Sequence, residues 1–412
     1  MRSNLPDVTP EAAPGPRHGV WTMAMSLALA SAVSLGLSRF AYALLLPAMR
    51  LDLGWSYATA GAMNTVNAAG YLVGALLMPR LLSRWDARRV VLAAGVLAAV
   101  LLAGHGVDVS AGATPGAASN GGALWLYGLR FLLGVASAAS FVGGGVLASQ
   151  LALQVSKPGL VLGLYYGGTG LGIVASALSL PPLLAHAASA WREAWWLLAV
   201  LALLATAGLS VGTAGWRVPP PPAGERVPAP WRRLGWGLAG YLMFGLGYIG
   251  YMTFNVTLLR EQGLGSGVIT GFYLLVGLGV VASSWLWAGL LQRHADGRPM
   301  AVLNGLLAVA TALAVLVPGQ TVLALVSGAL FGSVFLSVVA STTALVRHNL
   351  PRAAWASGIT AFTVIFAAGQ IVGPVLVGLL ADRLGGLASG LWLSAGLLAL
   401  GAVLASRQRQ LG

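Results

Sequence analysis

Apolar runs of membrane length, separated by short breaks rich in charge, glycine or proline, follow one another along almost the whole chain. They lie near 20–48, 58–79, 90–107, 123–149, 159–184, 191–212, 233–259, 267–291, 299–316, 320–344, 354–380 and 388–405. A hydrocarbon core about 30 Å thick is crossed by about 20 residues of helix, so the pattern predicts twelve transmembrane helices. The runs do not alternate polar with apolar, as the ten-residue strands of a membrane β-barrel would. One break differs from the rest. "GWRVPPPPAGERVPAPWRRLGW" (215–236) has the composition of an extended linker, and it leaves six runs on either side. The expected organisation is an N-terminal tail (1–19), a six-helix bundle (20–212), a linker (213–232), a second six-helix bundle (233–405) and a short tail (406–412).

Composition supports lipid as the solvent. Of 412 residues 58% are hydrophobic and 8% charged, where a soluble domain carries about 25% charged. The absence of cysteine excludes disulfides, thiolate metal sites and thiol catalysis. The polar, proline-rich start lacks the charged head and small-residue cleavage site of a secretory signal, so the first run is expected to stay as a span. The net charge of +13 raises nucleic acid as a partner, but the 23 basic residues are placed otherwise. With the N-terminus inside, seventeen fall in or at the edge of cytoplasmic segments, four in or at the edge of outer ones (Arg50, Arg192, Arg260, Arg383) and two in span interiors (Arg39, Arg130). That asymmetry follows the positive-inside rule. It predicts a multi-pass protein of the bacterial inner membrane with both termini cytoplasmic, and no nucleic acid.

The two halves also resemble each other. "LLSRWDARRVVLAAGVLAAV" (81–100) aligns without a gap on "LLQRHADGRPMAVLNGLLAV" (290–309), matching Arg84 to Arg293 and Arg89 to Arg298. A looser pair is "SKPGLVLG" (156–163) with "PRAAWASG" (351–358). Repeated halves of this size point to a transporter whose site lies between them near mid-membrane.

Six plus six helices, the basic loop after helix 2 and "RFLLG" (130–134) at helix 4 resemble the major facilitator superfamily over essentially the whole chain. "SRFAYALLLPAM" with "GYLVGALL" (70–77) resembles its YbfB/YjiJ-type branch. The resemblance implies alternating access by rocking of the halves, a cavity lined by helices 1, 4, 7 and 10, and a monomer. It also implies cytoplasmic gating loops, here carried by Arg84, Asp86, Arg88, Arg89, Arg293 and Arg298. The family's loop reads G-x-x-x-D-R-x-G-R-R. Gly74, Arg84, Arg88 and Arg89 are recognisable at a looser spacing, but Ser83 stands where the aspartate belongs and Asp86 is its nearest substitute.

Arg39 and Arg130 are the candidates for chemistry. A charge at the bilayer centre costs about 2.5–3.5 kcal/mol on insertion scales and needs a partner. Nine of the ten acids fall outside the predicted spans and the tenth, Glu193, stands in the first turn of 191–212, so neither arginine has a counter-ion in a span interior. Guanidinium binds carboxylate or phosphate through a planar fork of donors. The expectation is that the missing anion is the substrate, with Arg39 and Arg130 as its ligands. The competing reading is that Arg130 bonds backbone carbonyls and Arg39 reaches outward to the interface.

Further polar positions extend this site. Tyr241, Phe244, Tyr248, Tyr251 and Asn255 recur at helical spacing in helix 7, and Asn64, Asn67 and Tyr71 in helix 2. The first set is either a cavity wall or ordinary packing; the two asparagines bind substrate or act as interhelical glue. Tyr165, Tyr166, Thr169 and Gln370 are weaker candidates. "GGTGLG" (167–172) is expected to serve close helix packing and helix bending, since no strand precedes it as a nucleotide loop requires. Pro181, Pro182 and Pro374 are expected to kink or end their helices, and Pro47 to close helix 1. His105 is expected at a solvated loop end, and without a carboxylate deep in a span no carboxylate-based proton relay is foreseen.

The reading that results is a secondary or facilitative transporter of a small organic anion, most simply a carboxylate. The alternative is an exporter of amphipathic or drug-like compounds. A receptor on this fold would carry a larger cytoplasmic segment, and an enzyme would need paired buried acids or histidines that the chain lacks. No metal or cofactor is expected; the partners are a small-molecule substrate and the lipid bilayer.

Overall fold

The computed structural model describes residues 19–108, 117–185, 188–216 and 228–411. The predicted tail up to residue 18 and the proline-rich stretch 217–227 lie outside the described residues, and with them Arg2, Arg17, Arg217 and Arg226. Among the described residues the structure is all-helical. Twelve helices are long and apolar enough to cross a membrane. They are α1 (Val20–Asp52), α2 (Tyr57–Leu82), α3 (Ala87–His105), α4 (Gly122–Ala152), α5 (Pro158–Leu184), α6 (Trp191–Gly212), α7 (Gly235–Glu261), α8 (Ser266–Arg293), α9 (Arg298–Leu316), α10 (Thr321–Asn349), α11 (Arg352–Leu384) and α12 (Leu387–Ser406). Helix is the expected answer in hydrocarbon, where each unpaired backbone group costs several kcal/mol.

Local chemistry sets the helix ends. The Ser56 hydroxyl accepts the Thr59 N–H at 3.1 Å to open α2, and Asp86 accepts the Arg89 N–H at 3.1 Å to open α3. Gly385, at φ +76°, closes α11 in the left-handed region that favours glycine. Two sequence expectations change here. α1 does not close at Pro47 but runs through it to Asp52. A proline inside a helix costs about 3 kcal/mol; unwinding the last turns in lipid would leave several backbone groups unpaired, which costs more. Pro181, Pro182 and Pro374 likewise sit inside α5 and α11.

Each half contributes six helices, and the halves meet along two seams, α2 with α11 and α5 with α8. Small residues make both seams possible. On α5 and α8 a Cβ at Gly277 would come within 2.9 Å of the Gly170 carbonyl oxygen, and one at Gly170 would collide with the Gly277 carbonyl. Gly168 and Gly172 of the same glycine-rich stretch face α1, so 167–172 is a packing surface on two sides. α1 and α7 are the most enclosed helices.

The helix order defines two ends of the bundle. The terminal end carries residues 19 and 411, and the far end carries the α1–α2, α7–α8 and α11–α12 turns. Hydrogen bonds and an ion pair tie the halves together at the far end. Asp382 of α11 accepts the backbone N–H groups of Tyr57 and Ala58, each at 2.9 Å. Arg50 of α1 pairs with Glu261 of α7 at 3.1 Å, and the Tyr57 hydroxyl donates to the same carboxylate at 2.6 Å. Deeper in, Thr65 donates to the Ile371 carbonyl at 2.6 Å.

Candidate substrate site

α1 is not one uniform helix. Between Val20–Ser31 and Tyr42–Asp52, the stretch Ala32–Phe40 winds as a π-helix. The Ala41 N–H reaches back to the Gly36 carbonyl at 3.0 Å, and the Ser38 hydroxyl donates to the Val33 carbonyl at 2.6 Å. Both bonds span five residues. A π-turn widens the helix and is often found at functional sites. Neighbouring helices hold it open. The Tyr273 hydroxyl of α8 donates to the Phe40 carbonyl at 2.5 Å, Arg130 of α4 donates to the Ser38 carbonyl at 2.9 Å, and Gly36 rests against Gly172 where a Cβ would come within 2.6 Å of its Cα.

Arg130 is completely buried and its donors are directed at protein oxygens. Besides Ser38, its Nη2 donates to Asn64 Oδ1 at 2.7 Å and its Nε to the Met63 carbonyl at 3.4 Å. The guanidinium lies 4.8 Å from the Tyr42 ring and 5.9 Å from that of Trp195. Asn64 in turn donates to Thr253 Oγ1 at 2.8 Å, and Thr253 to the Ile249 carbonyl at 2.6 Å. A chain of hydrogen bonds therefore runs from α4 through α2 into α7, from one half to the other. Asn67 donates to the Arg130 carbonyl at 3.1 Å, fastening α2 to α4.

Arg39 lies at the end of the π-helical stretch and is 3% exposed. Its Nε and Nη2 are buried and make no hydrogen bond. These two nitrogens share one edge of the guanidinium plane, the edge that grips a carboxylate with two parallel bonds. Among the described residues no acid is within the interior: Asp52, Asp86, Asp108, Glu193, Glu261, Asp296 and Asp382 stand in turns or in the end turns of helices. The Tyr71 ring lies 5.8 Å from Arg39. Gln370 of α11 donates to the Tyr248 hydroxyl.

An aromatic wall stands behind this point. The Tyr248 ring stacks with Phe244 at 4.7 Å, Phe366 at 5.5 Å and Phe335 at 6.1 Å. Tyr241 continues the stack onto Phe366 at 5.0 Å, and Phe40 of α1 meets Phe335 edge-on at 5.6 Å. The expected stripe on α7 is thus divided. Tyr241 and Tyr248 join the wall. Tyr251 turns into its own half, bonded to Ser327 at 2.6 Å and stacked on Phe331 at 4.0 Å. Asn255 folds back on the Val256 N–H at 2.6 Å and leaves its Nδ2 unpartnered. A shared helical face does not become one surface here, because α7 is enclosed on every side.

The remaining candidates are dispersed. Thr169 bonds Ser31 at 2.8 Å between α5 and α1, and Tyr165 donates to the Phe141 carbonyl at 2.5 Å. Tyr166 is exposed. His105 is not solvated: it is fully buried, bonded to the Leu101 carbonyl at 2.7 Å and stacked on Trp195 at 4.4 Å. It packs inward because the last turn of α3 leans on α6. At the terminal end Arg88 donates to Thr213 and to the Ser210 carbonyl, Arg298 pairs with Asp296 at 3.2 Å, and Arg84 lines a groove with Arg80 and Trp85. Arg89 and Arg293 make no ion pair among the described residues, and Asp86 makes none either, serving its own helix.

A family model described as uncharacterised MFS-type transporter YbfB matches residues 31–406. The chain belongs to this family of major facilitator transporters. No curated protein matches the sequence. Solved structures give the same fold at low identity. A nucleoside transporter, NupG in a mutant form, aligns with TM-score 0.70 and 14% identity over 94% of this chain and 99% of its own. A bacterial homolog of the human lysosomal transporter Spinster, inward-facing and unoccupied, gives 0.70 and 14% over 96% and 98%. Tetrameric PepTSo2 gives 0.69 and 15% over 94% and 96%. The transporter is therefore a multi-pass membrane protein of two six-helix bundles, a class that moves solutes and is not in general enzymatic.

Proposed function

We propose that this transporter carries a small organic anion, in the simplest case a carboxylate, across the bacterial inner membrane by alternating access, with Arg39 as the ligand of the anionic group. The observation that carries the reading is the pair of buried, unpartnered donors on one edge of Arg39. A buried charge left without hydrogen bonds is costly, and a carboxylate meets both donors at once. Arg130 has a supporting role: it holds the π-turn that aims Arg39 and links both halves through Asn64 and Thr253. Tyr248, Tyr241 and Tyr71 supply walls. Asn67, Tyr251 and Asn255 act as packing groups rather than ligands.

The basic residues set the orientation, seventeen of them falling on the side that would then be cytoplasmic. The terminal end faces the cytoplasm on this reading. The far-end contacts of Asp382, Arg50 and Glu261 then close the outer side, and the basic loops with Arg84, Arg88, Arg89, Arg293 and Arg298 flank the inner gate. The test is transport by the purified protein in liposomes loaded with unlabelled carboxylate. Labelled carboxylates are expected to accumulate by exchange, whereas a neutral sugar and tetraphenylphosphonium are not. Accumulation of the lipophilic cation alone would shift the reading to drug export.

A further inference from the structure

The geometry around Arg39 points to one kind of anion: we infer that the substrate is a planar aromatic monocarboxylate. This rests on the anion reading of Arg39 and adds the shape and charge of the rest of the molecule.

The charge follows from counting available donors. Arg39 offers one free fork edge, and Arg130 has its Nε, Nη1 and Nη2 directed at Met63, Ser38 and Asn64. One carboxylate fills the fork. A second would lie against aromatic rings with no donor of comparable strength, and its desolvation would go uncompensated.

The shape follows from the walls. The Tyr248 ring is within 12° of parallel to Phe335, 17° to Phe366 and 19° to Phe244. These rings from α7, α10 and α11 share nearly one orientation, so the surface behind the fork is layered and flat. Phe366 and Tyr71 are the members left partly exposed, one on each half, and Tyr71 lies beneath the Arg39 guanidinium. A flat ring whose carboxylate sits on the fork extends its faces toward Phe366 and Tyr71, the two partly exposed rings, in the offset-stacked arrangement aromatic pairs prefer. A saturated ring of the same size cannot adopt it as closely.

The experiment uses the full chain in detergent and reads thermal stabilisation against concentration for benzoate, cyclohexanecarboxylate, hexanoate, phthalate and benzamide. Benzoate is expected to bind about tenfold more tightly than cyclohexanecarboxylate, a difference of about 1.4 kcal/mol, with phthalate and benzamide at least as weak. In Phe366→Leu benzoate is expected to lose more affinity than cyclohexanecarboxylate, so that the preference between them shrinks toward unity. If the wild type binds the saturated acids as well as benzoate, the aromatic inference fails and the anion reading survives. Phthalate binding tighter than benzoate overturns the single-charge inference. Benzamide binding as well as benzoate, or no response to any acid, removes the anion reading itself. These comparisons are made on the wild type, so they stand even where the variant does not fold.

Discussion

An arginine keeps its charge in any protein interior, so its burial is tolerable only where oxygens meet its donors. Arg130 meets Ser38, Met63 and Asn64; Arg39 meets none among the described residues. The two should therefore respond oppositely to neutral replacement. Arg130→Gln leaves carbonyls and Asn64 without their donor and loosens the π-turn. Hydrogen bonds to charged groups contribute about 1.5–3 kcal/mol each, so a loss on the order of 3 kcal/mol is expected, read as a lower Tm in detergent without ligand. Arg39→Gln removes an uncompensated buried charge. Its Tm without ligand is expected to equal or exceed that of the wild type, while stabilisation by carboxylates disappears.

At the scale of elements, the seams depend on the absence of side chains. Gly172 lies where a Cβ would meet the Ala32 carbonyl oxygen at 2.5 Å and the Gly36 Cα at 2.8 Å. Gly172→Val is expected to push α5 from α1 at the cost of about 1–3 kcal/mol of overpacking and to disturb the π-helical stretch. Carboxylate affinity should then fall along with Tm, measured on the same sample. The twelve helices were legible because length and hydrophobicity alone decide what spans lipid, and the packing role of 167–172 was legible because four glycines in six residues let neighbouring backbones approach closely. Arg39 stood out for the same reason, as a charge with no acid in the interior. What the sequence could not carry were backbone partners. The carbonyls that satisfy Arg130 belong to Ser38 and Met63, and any residue type would offer them. The π-turn likewise leaves no periodic signature, since one five-residue register among hydrophobic neighbours reads like ordinary helix. His105 was misjudged because its burial depends on the ring of Trp195, which a distant helix brings to it.

For the whole molecule, alternating access requires the far-end seam to part. A Cβ at Gly378 would come within 2.6 Å of the Tyr57 carbonyl oxygen, so Gly378→Val acts as a wedge between α11 and α2. The chain has no cysteine, which makes single-site labelling free of background. Thr253→Cys, buried between the halves, is expected to react at least about tenfold faster with a membrane-impermeant thiol reagent from the far side when the wedge is present; a tenfold shift needs only about 1.4 kcal/mol of differential strain. An unpaired cation at the site also makes reorientation without an anion costly, so exchange of carboxylate for carboxylate is expected to outpace net efflux from liposomes.

The most direct test of the central claim is equilibrium binding of a labelled carboxylate to wild type, Arg39→Lys and Arg39→Gln. Two charge-assisted bonds together contribute about 3 kcal/mol or more. The glutamine variant is therefore expected to bind at least about a hundredfold more weakly. The lysine variant, which keeps the charge and loses the fork, should fall between. Wild-type affinity in the glutamine variant would contradict the account and make Arg39 a bystander to whatever this transporter carries.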